Sequence, residues 1–156
     1  MNFVQLLSNV KELNNNFDDI VLDLAMEEKD FIVQANRDQL WEGKTATDED
    51  IRPYYSEDPY FKTPKAAAGY AKWKQKITPS TRGIDVPNLY INGYFYKSIF
   101  AQKKEDHIEN VSNVSMGNEI ISEHENIMGL NDEHKIELSQ RIAPKFQKKL
   151  KDEITR

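Results

Sequence analysis

The sequence predicts an α+β fold: N-terminal helices, a small antiparallel sheet with a β-hairpin between about residues 89 and 122, and a long C-terminal helix. Three observations carry this expectation. Apolar residues recur at three- and four-residue steps over positions 3–35, and again at Leu138, Ile142, Phe146, Leu150 and Ile154. Between these stretches, β-favouring runs flank a polar Lys103-Lys104-Glu105-Asp106 turn. The 156 residues, 38% hydrophobic and 30% charged, are enough for one domain with its own core, so residues 1–156 are read as a single domain.

Taken in order, Phe3, Leu6, Leu7, Val10 and Leu13 form the apolar stripe of a first helix, an N-terminal arm over residues 1–16. Asn14-Asn15-Asn16 has low helix propensity and Asp18 and Asp19 suit a first turn, which places a break near residues 14–18. The pattern resumes with Phe17, Ile20, Val21, Leu24, Phe31, Ile32 and Ala35. Glu28 falls on this stripe, either at a wet helix edge or buried with a partner. Residues 41–63 read as a long loop rich in aromatics: Trp41, Tyr54, Tyr55, Tyr60 and Phe61. These rings either fold back over the domain's own core or anchor a protein partner, Trp41, Tyr54, Tyr55 and Tyr60 being the anchor candidates.

Thr63-Pro64 opens a helix over Lys65–Ile77 that Thr78-Pro79 ends, and residues 80–88 are irregular. Asn92-Gly93 suits a hairpin turn between Leu89-Tyr90-Ile91 and Tyr94-Phe95-Tyr96, with a short helical turn as the alternative. Ser98–Ala101 and His107–Val114 pair as an antiparallel hairpin, and Asn118–Ser122 is expected to add a third strand. Asn131 caps the terminal helix, with Asp132 and Glu133 in its first turn and a kink or restart expected at Pro144.

Composition excludes several classes. Zero cysteines remove disulfides, thiolate metal sites and cysteine nucleophiles, and no apolar run approaches the ~18 residues of a membrane span. The beginning Met1-Asn2-Phe3-Val4 does not read as a secretory signal. The net charge of −5 is uneven: residues 141–156 carry +4 and the remaining 140 residues −9. An acidic body does not attract a phosphate backbone, so nucleic-acid binding is confined to that basic tail. Lys145, Lys148, Lys149 and Lys151 match the negative end of a helix, and are also candidates for contact with an acidic partner.

The chemical signatures of nucleophile elbows, phosphate loops, dinucleotide sites and helical zinc motifs are absent from the sequence. His107, His124 and His134 have no ligand spacing and read as solvated side chains. Lys72, Lys74 and Lys76 beside Tyr70 and Trp73 make a weak case for single-strand binding. Acid pairs such as Asp48 with Asp50, or Glu57 with Asp58, are too common to argue catalysis. No cofactor, metal or catalytic residue is therefore expected.

The order Pro87-Asn88-Leu89-Tyr90-Ile91-Asn92-Gly93-Tyr94-Phe95-Tyr96-Lys97-Ser98-Ile99, a polar hairpin, and Ile127-Met128-Gly129-Leu130-Asn131 opening a terminal helix resembles small neck proteins of tailed bacteriophages. These are the tail-completion, head-tail joining or virion morphogenesis proteins. Met128 stands where that family usually has an aromatic, and Asn92 where threonine is common. The resemblance implies a non-enzymatic virion component, assembled in the bacterial host cytoplasm, whose copies form a ring connecting the portal side of the capsid to the tail. Its partners would be its own copies and portal, connector or tail proteins, with at most non-specific DNA in the channel and no membrane. The rival reading is a small cytoplasmic enzyme or nucleic-acid-processing accessory factor using the acidic loop or the basic C-terminal helix.

Overall fold

The computed structural model describes residues 1–156 and has an α+β architecture of seven helices and one two-stranded antiparallel sheet. In chain order these are α1 (Phe3–Asn15), α2 (Phe17–Glu27), α3 (Lys29–Glu42), α4 (Pro64–Ile77), α5 (Tyr94–Ser98), β1 (Ile99–Lys103), β2 (Ile108–Ser112), α6 (Ser115–Glu123) and α7 (Asp132–Thr155).

Asn2 caps α1 by accepting the Gln5 amide at 2.8 Å, and the expected break falls at Asn16. A second break at Glu28, inside what the periodicity reads as one helix, separates α2 from α3. The three helices run antiparallel along α7. Phe17 meets Phe146 edge to face at 5.3 Å, Asn9 donates to the Ile154 carbonyl at 3.3 Å, and Arg156 pairs with Glu12 at 3.0 Å. At the second break the Glu28 side chain is only 17% exposed and lies between Arg141 at 3.4 Å and Lys145 at 3.1 Å. The hydrogen bond from Lys145 holds its carboxyl below the usual range against the opposing effect of desolvation, with Arg141 assisting. Of the two readings of Glu28, the paired carboxylate is the one realised.

The main core gathers Leu40, Ile51, Phe95, Tyr96, Ile99 and Ile127, with Ile32, Ala35 and Leu130 forming a second cluster. Polar side chains of α3 tie the two together. Asn36 donates to the Ile127 carbonyl at 2.8 Å, and its Oδ1 accepts from the Gly129 amide and from Asn110, each at 2.9 Å. One turn on, Gln39 donates to the Gly129 carbonyl at 2.9 Å and accepts from the Asn131 amide at 2.9 Å. Asn36 and Gln39, 0% and 1% exposed, thus read the backbone of residues 127–131 much as a neighbouring strand would. Asn131 then caps α7 as expected, accepting from the His134 amide at 2.9 Å.

Three expectations need correction. The segment after Asn92-Gly93 is not a hairpin strand but α5, the helical alternative: the Asn92 side chain accepts from the Tyr94 amide, and Arg37 of α3 takes the Tyr96 carbonyl at 2.8 Å. The sheet therefore spans only Ile99–Ser112, in the register Ile99 opposite Ser112 to Lys103 opposite Ile108. Residues 118–122 belong to α6 rather than a third strand. Ile120 and Ile121 both pack on the main core, which adjacent residues of a strand cannot do. Gly117 lets this helix approach the hairpin, since a Cβ there would lie 1.9 Å from the Ser112 hydroxyl oxygen. Finally, α7 continues through Pro144 without a restart; Pro144 and Gln140 face solvent, where a freed carbonyl has water available.

Replacing Asn36 by alanine strands the Ile127 carbonyl, the Gly129 amide and the Asn110 side chain in the interior. The expected loss is about 3 kcal/mol or more in urea denaturation. Gln34→Ala on the exposed face of the same helix removes only a surface bond to Asp38 and is expected to stay within about 0.5 kcal/mol.

Candidate functional site: an aromatic pocket around a buried lysine

Gly43, at φ 81°, ends α3 in the left-handed region and turns the chain into residues 43–63, so Trp41 is helical and the loop begins two residues later than the sequence suggests. A Cβ on Gly43 would also strike Val86 at 2.9 Å, so glycine is required twice over. The loop is pinned to the irregular segment 80–88. Asp50 pairs with Arg82 at 2.7 Å, the Tyr55 amide bonds to the Asp85 carbonyl at 3.0 Å, and Ser56 bonds through both amide and hydroxyl to the Asp85 carboxylate.

Pinned in this way, the loop lays its aromatics against α4. Tyr55 and Phe61 pack around Tyr70, each with its ring centre 5.1 Å from the Tyr70 ring, and Tyr60 lies edge-on to Phe61 at 5.2 Å. Opposite, Tyr90 stacks edge to face on Tyr96 at 5.0 Å and on Trp41 at 5.1 Å. Between these groups opens a pocket of about 320 Å³, lined mainly by apolar and aromatic side chains, with Lys74, Asp58 and His124 as its charged or titratable members.

Lys74 is the unusual member. It is 4% exposed and makes no ion pair; its ammonium donates to the Thr78 hydroxyl and, at 2.6 Å, to Asn88 Oδ1. Asn88 is held in turn by its own bond to the Thr78 carbonyl at 3.1 Å. Burial without a counter-charge pushes the Lys74 amine down to about 8. From the sequence, Lys74 reads as one member of a basic aromatic patch with Lys72, Lys76, Tyr70 and Trp73. Its signal is its register: Ala67, Ala71, Lys74 and Thr78 recur at four-, three- and four-residue steps, the single buried face of α4 and its cap.

The sequence-predicted partner residues divide. Tyr60 is 80% exposed and Trp41 38% exposed, so both keep accessible ring surface. Tyr55 is a correction: at 7% exposure, turned into the pocket wall, it belongs to the interior, and desolvation raises its phenol far above the ordinary range. Tyr54 is half-buried, its hydroxyl donating to Asp50 at 2.7 Å and its ring lying 4.0 Å under the Arg52 guanidinium. In the C-terminal helix, Lys145 is engaged by Glu27 at 2.9 Å and by Glu28, and Lys149 by Glu153 at 3.2 Å. Lys148 and Lys151 are exposed and make no ion pair within the chain. The pocket therefore does not bring the aromatic and basic candidates together; they lie on separate parts of the fold. The histidines are likewise apart. His134 is partly buried, bonded to Gln39 at 2.6 Å, rather than solvated as expected, and no group of three metal-ligating side chains is present.

A further exposed surface was not anticipated as such. On α1, Leu6 and Leu13 are half-buried whereas Phe3, Leu7 and Val10 are 76%, 45% and 42% exposed. At 100° per residue these three lie on one flank of the stripe and Leu6 and Leu13 on the other, so α7 covers only part of it. No helix is long and apolar enough to cross a membrane. No protein-family model matches the sequence, and no curated protein or solved structure does so either.

The buried amine makes a pH prediction. Between about pH 8 and 10.5 the unfolded chain holds a proton that folded Lys74 has released, so raising the pH through this window stabilises wild type relative to Lys74→Met. The difference between their urea-derived stabilities is expected to move in favour of wild type by roughly 3 kcal/mol at most. Taking the difference cancels the titration of the tyrosines, and an unchanged difference contradicts an uncompensated charge at Lys74.

Proposed function

We propose that this chain is a structural subunit of a tailed-phage virion, a neck or head-tail joining protein that forms a ring between the portal side of the capsid and the tail. The observation that carries the reading is the open apolar flank of α1. Phe3, Leu7 and Val10 remain accessible although the helix already has α7 to pack on. Side chains of this kind, repeated along a surface helix, stabilise an assembly by being covered in it. A ring supplies each copy with a neighbour on either side, and a heterologous contact that closes gives every α1 the same partner surface.

The resemblance in the second half supports the same reading. Its residues have defined places here: Gly93 starts α5, and Gly129, Leu130 and Asn131 form the anchored step into α7. The exposed Tyr60 and Trp41 offer a second, aromatic contact surface, suited to a neighbour of different type. Of the basic tail, Lys148 and Lys151 are free to meet an acidic neighbour, while Lys145 and Lys149 are already engaged inside the subunit. The localisation that follows is the virion, reached from the host cytoplasm.

Negative-stain images of concentrated protein, alone and with the portal protein of the same genome, are expected to show closed rings. Phe3→Asp with Leu7→Asp is expected to abolish them while leaving the helical circular dichroism of the subunit unchanged, because both positions are exposed. Wild-type protein that stays monomeric under both conditions contradicts the reading. Lys148→Glu with Lys151→Glu, which spares the internal ion pairs, is expected to weaken assembly several-fold, as is added salt in wild type. Assembly indifferent to both leaves these lysines as a solvated helix face.

A further inference from the structure

Four tyrosines and one buried lysine are among the residues that line the aromatic pocket. Tyr55, Tyr60, Tyr70 and Tyr90 line it, and none of their hydroxyls makes a hydrogen bond within the chain, unlike those of Tyr54 and Tyr96. The Lys74 ammonium has three protons and spends two, on Thr78 and Asn88. Lys74 thus lines a largely apolar pocket with one proton unspent and with its charge buried without a counter-charge, which is costly. Asp58 is the carboxylate on this wall, and its Oδ1 already accepts from the Tyr60 amide at 2.9 Å. His124 is held by a bond between Nδ1 and the Arg52 carbonyl at 2.6 Å, which makes Nδ1 the protonated nitrogen.

We propose that this pocket is a binding site for a monocarboxylate carried on an apolar body of about the size of one aromatic ring, with Lys74 and the pocket tyrosines as the donors to its carboxylate. A carboxylate supplies the counter-charge that Lys74 lacks and an acceptor for its third proton. The apolar walls take the body of the ligand, and the volume of about 320 Å³ is at the small end of ligand sites. Asp58 sets the charge of the ligand, since a second negative group beside it is repelled; this disfavours phosphates and dicarboxylates. The chemistry is shared by a free small acid and by the C-terminal carboxylate of a polypeptide ending in an apolar residue. This inference does not rest on the α1 flank, with which the pocket has no residue in common, although Tyr60 belongs both to the pocket and to the aromatic contact surface.

The test is an NMR titration of the labelled full chain with 3-phenylpropionate and, separately, with its neutral amide. The acid is expected to bind at least about tenfold more tightly than the amide, and Lys74→Met to abolish that preference. Ile91→Asp places a negative charge at the exposed mouth of the pocket and is expected to weaken the acid about fivefold without affecting the amide, so the proposal stays testable if Lys74→Met fails to fold. A third titration uses an acetylated hexapeptide ending in phenylalanine as the free acid. Binding tighter than that of 3-phenylpropionate assigns the site to a chain terminus, and equal or weaker binding assigns it to a free acid. Equal affinities for acid and amide, a preference that survives Lys74→Met, or no binding of the acid at millimolar concentration overturns the proposal.

Discussion

Two amide side chains on one face of α3 set the path of residues 127–131 and with it the start of α7. Asn36 and Gln39 are one turn apart, so their amides present donors and acceptors to the backbone of residues 127–131, which bends at Met128-Gly129 with Gly129 at φ 119°. Buried amides are expensive unless every bond is made, and this cost is what makes the pairing selective: a shift of one residue along the segment mismatches donors with acceptors. Asn131 is the last residue so held and also the cap of α7, so the register of this bent segment is converted directly into the starting point of a 24-residue helix.

The same logic of a fixed backbone organises the other side of the molecule. The loop after α3 has no regular secondary structure, yet Asp50, Tyr55 and Ser56 are each tied to residues of the 80–88 segment. Two irregular segments hold one another in place, and the aromatic rings they carry are ordered as a consequence. This separates two kinds of surface on one subunit. The pocket is a preformed concavity whose walls are already packed, whereas the flank of α1 is a convex strip that lacks only a cover.

Much of the helical framework was legible in the sequence because the apolar period states it: α1, the break at Asn16, α4 between Pro64 and Thr78, and the Asn131 cap all fall where pattern and capping chemistry place them. The hairpin β1–β2 was equally readable from its β-favouring runs and polar turn. The misreadings share one cause. Tyr94-Phe95-Tyr96 and Asn118–Ser122 have strand-like composition, and contacts distant in sequence, with Arg37 in one case and the hairpin in the other, make them helical. Among the candidate site residues, Tyr55 stood between a core and a partner-anchor reading because a loop position does not disclose which way a ring turns. The inward lysine was obscured by its neighbours Lys72 and Lys76, which are exposed as lysines normally are.

The helix that begins at Asn131 is anchored to the core at its first turn, whereas its far end is held by α1. With a rise of about 1.5 Å per residue it extends roughly 36 Å from the amide network to its C-terminus, and along its length it is half-buried at most. Geometrically it is a lever: a tilt of about 10° at the anchored base displaces the far tip, and α1 lying upon it, by roughly 6 Å. The clamp of Arg141 and Lys145 on the Glu27-Glu28 corner grips the lever near its midpoint and straddles Pro144, where a helix bends most easily. The angle at which the open apolar strip is presented is thus set at a distance, by the amides at the base and the charges at the middle, and it can change by flexing one rod rather than by remodelling the core.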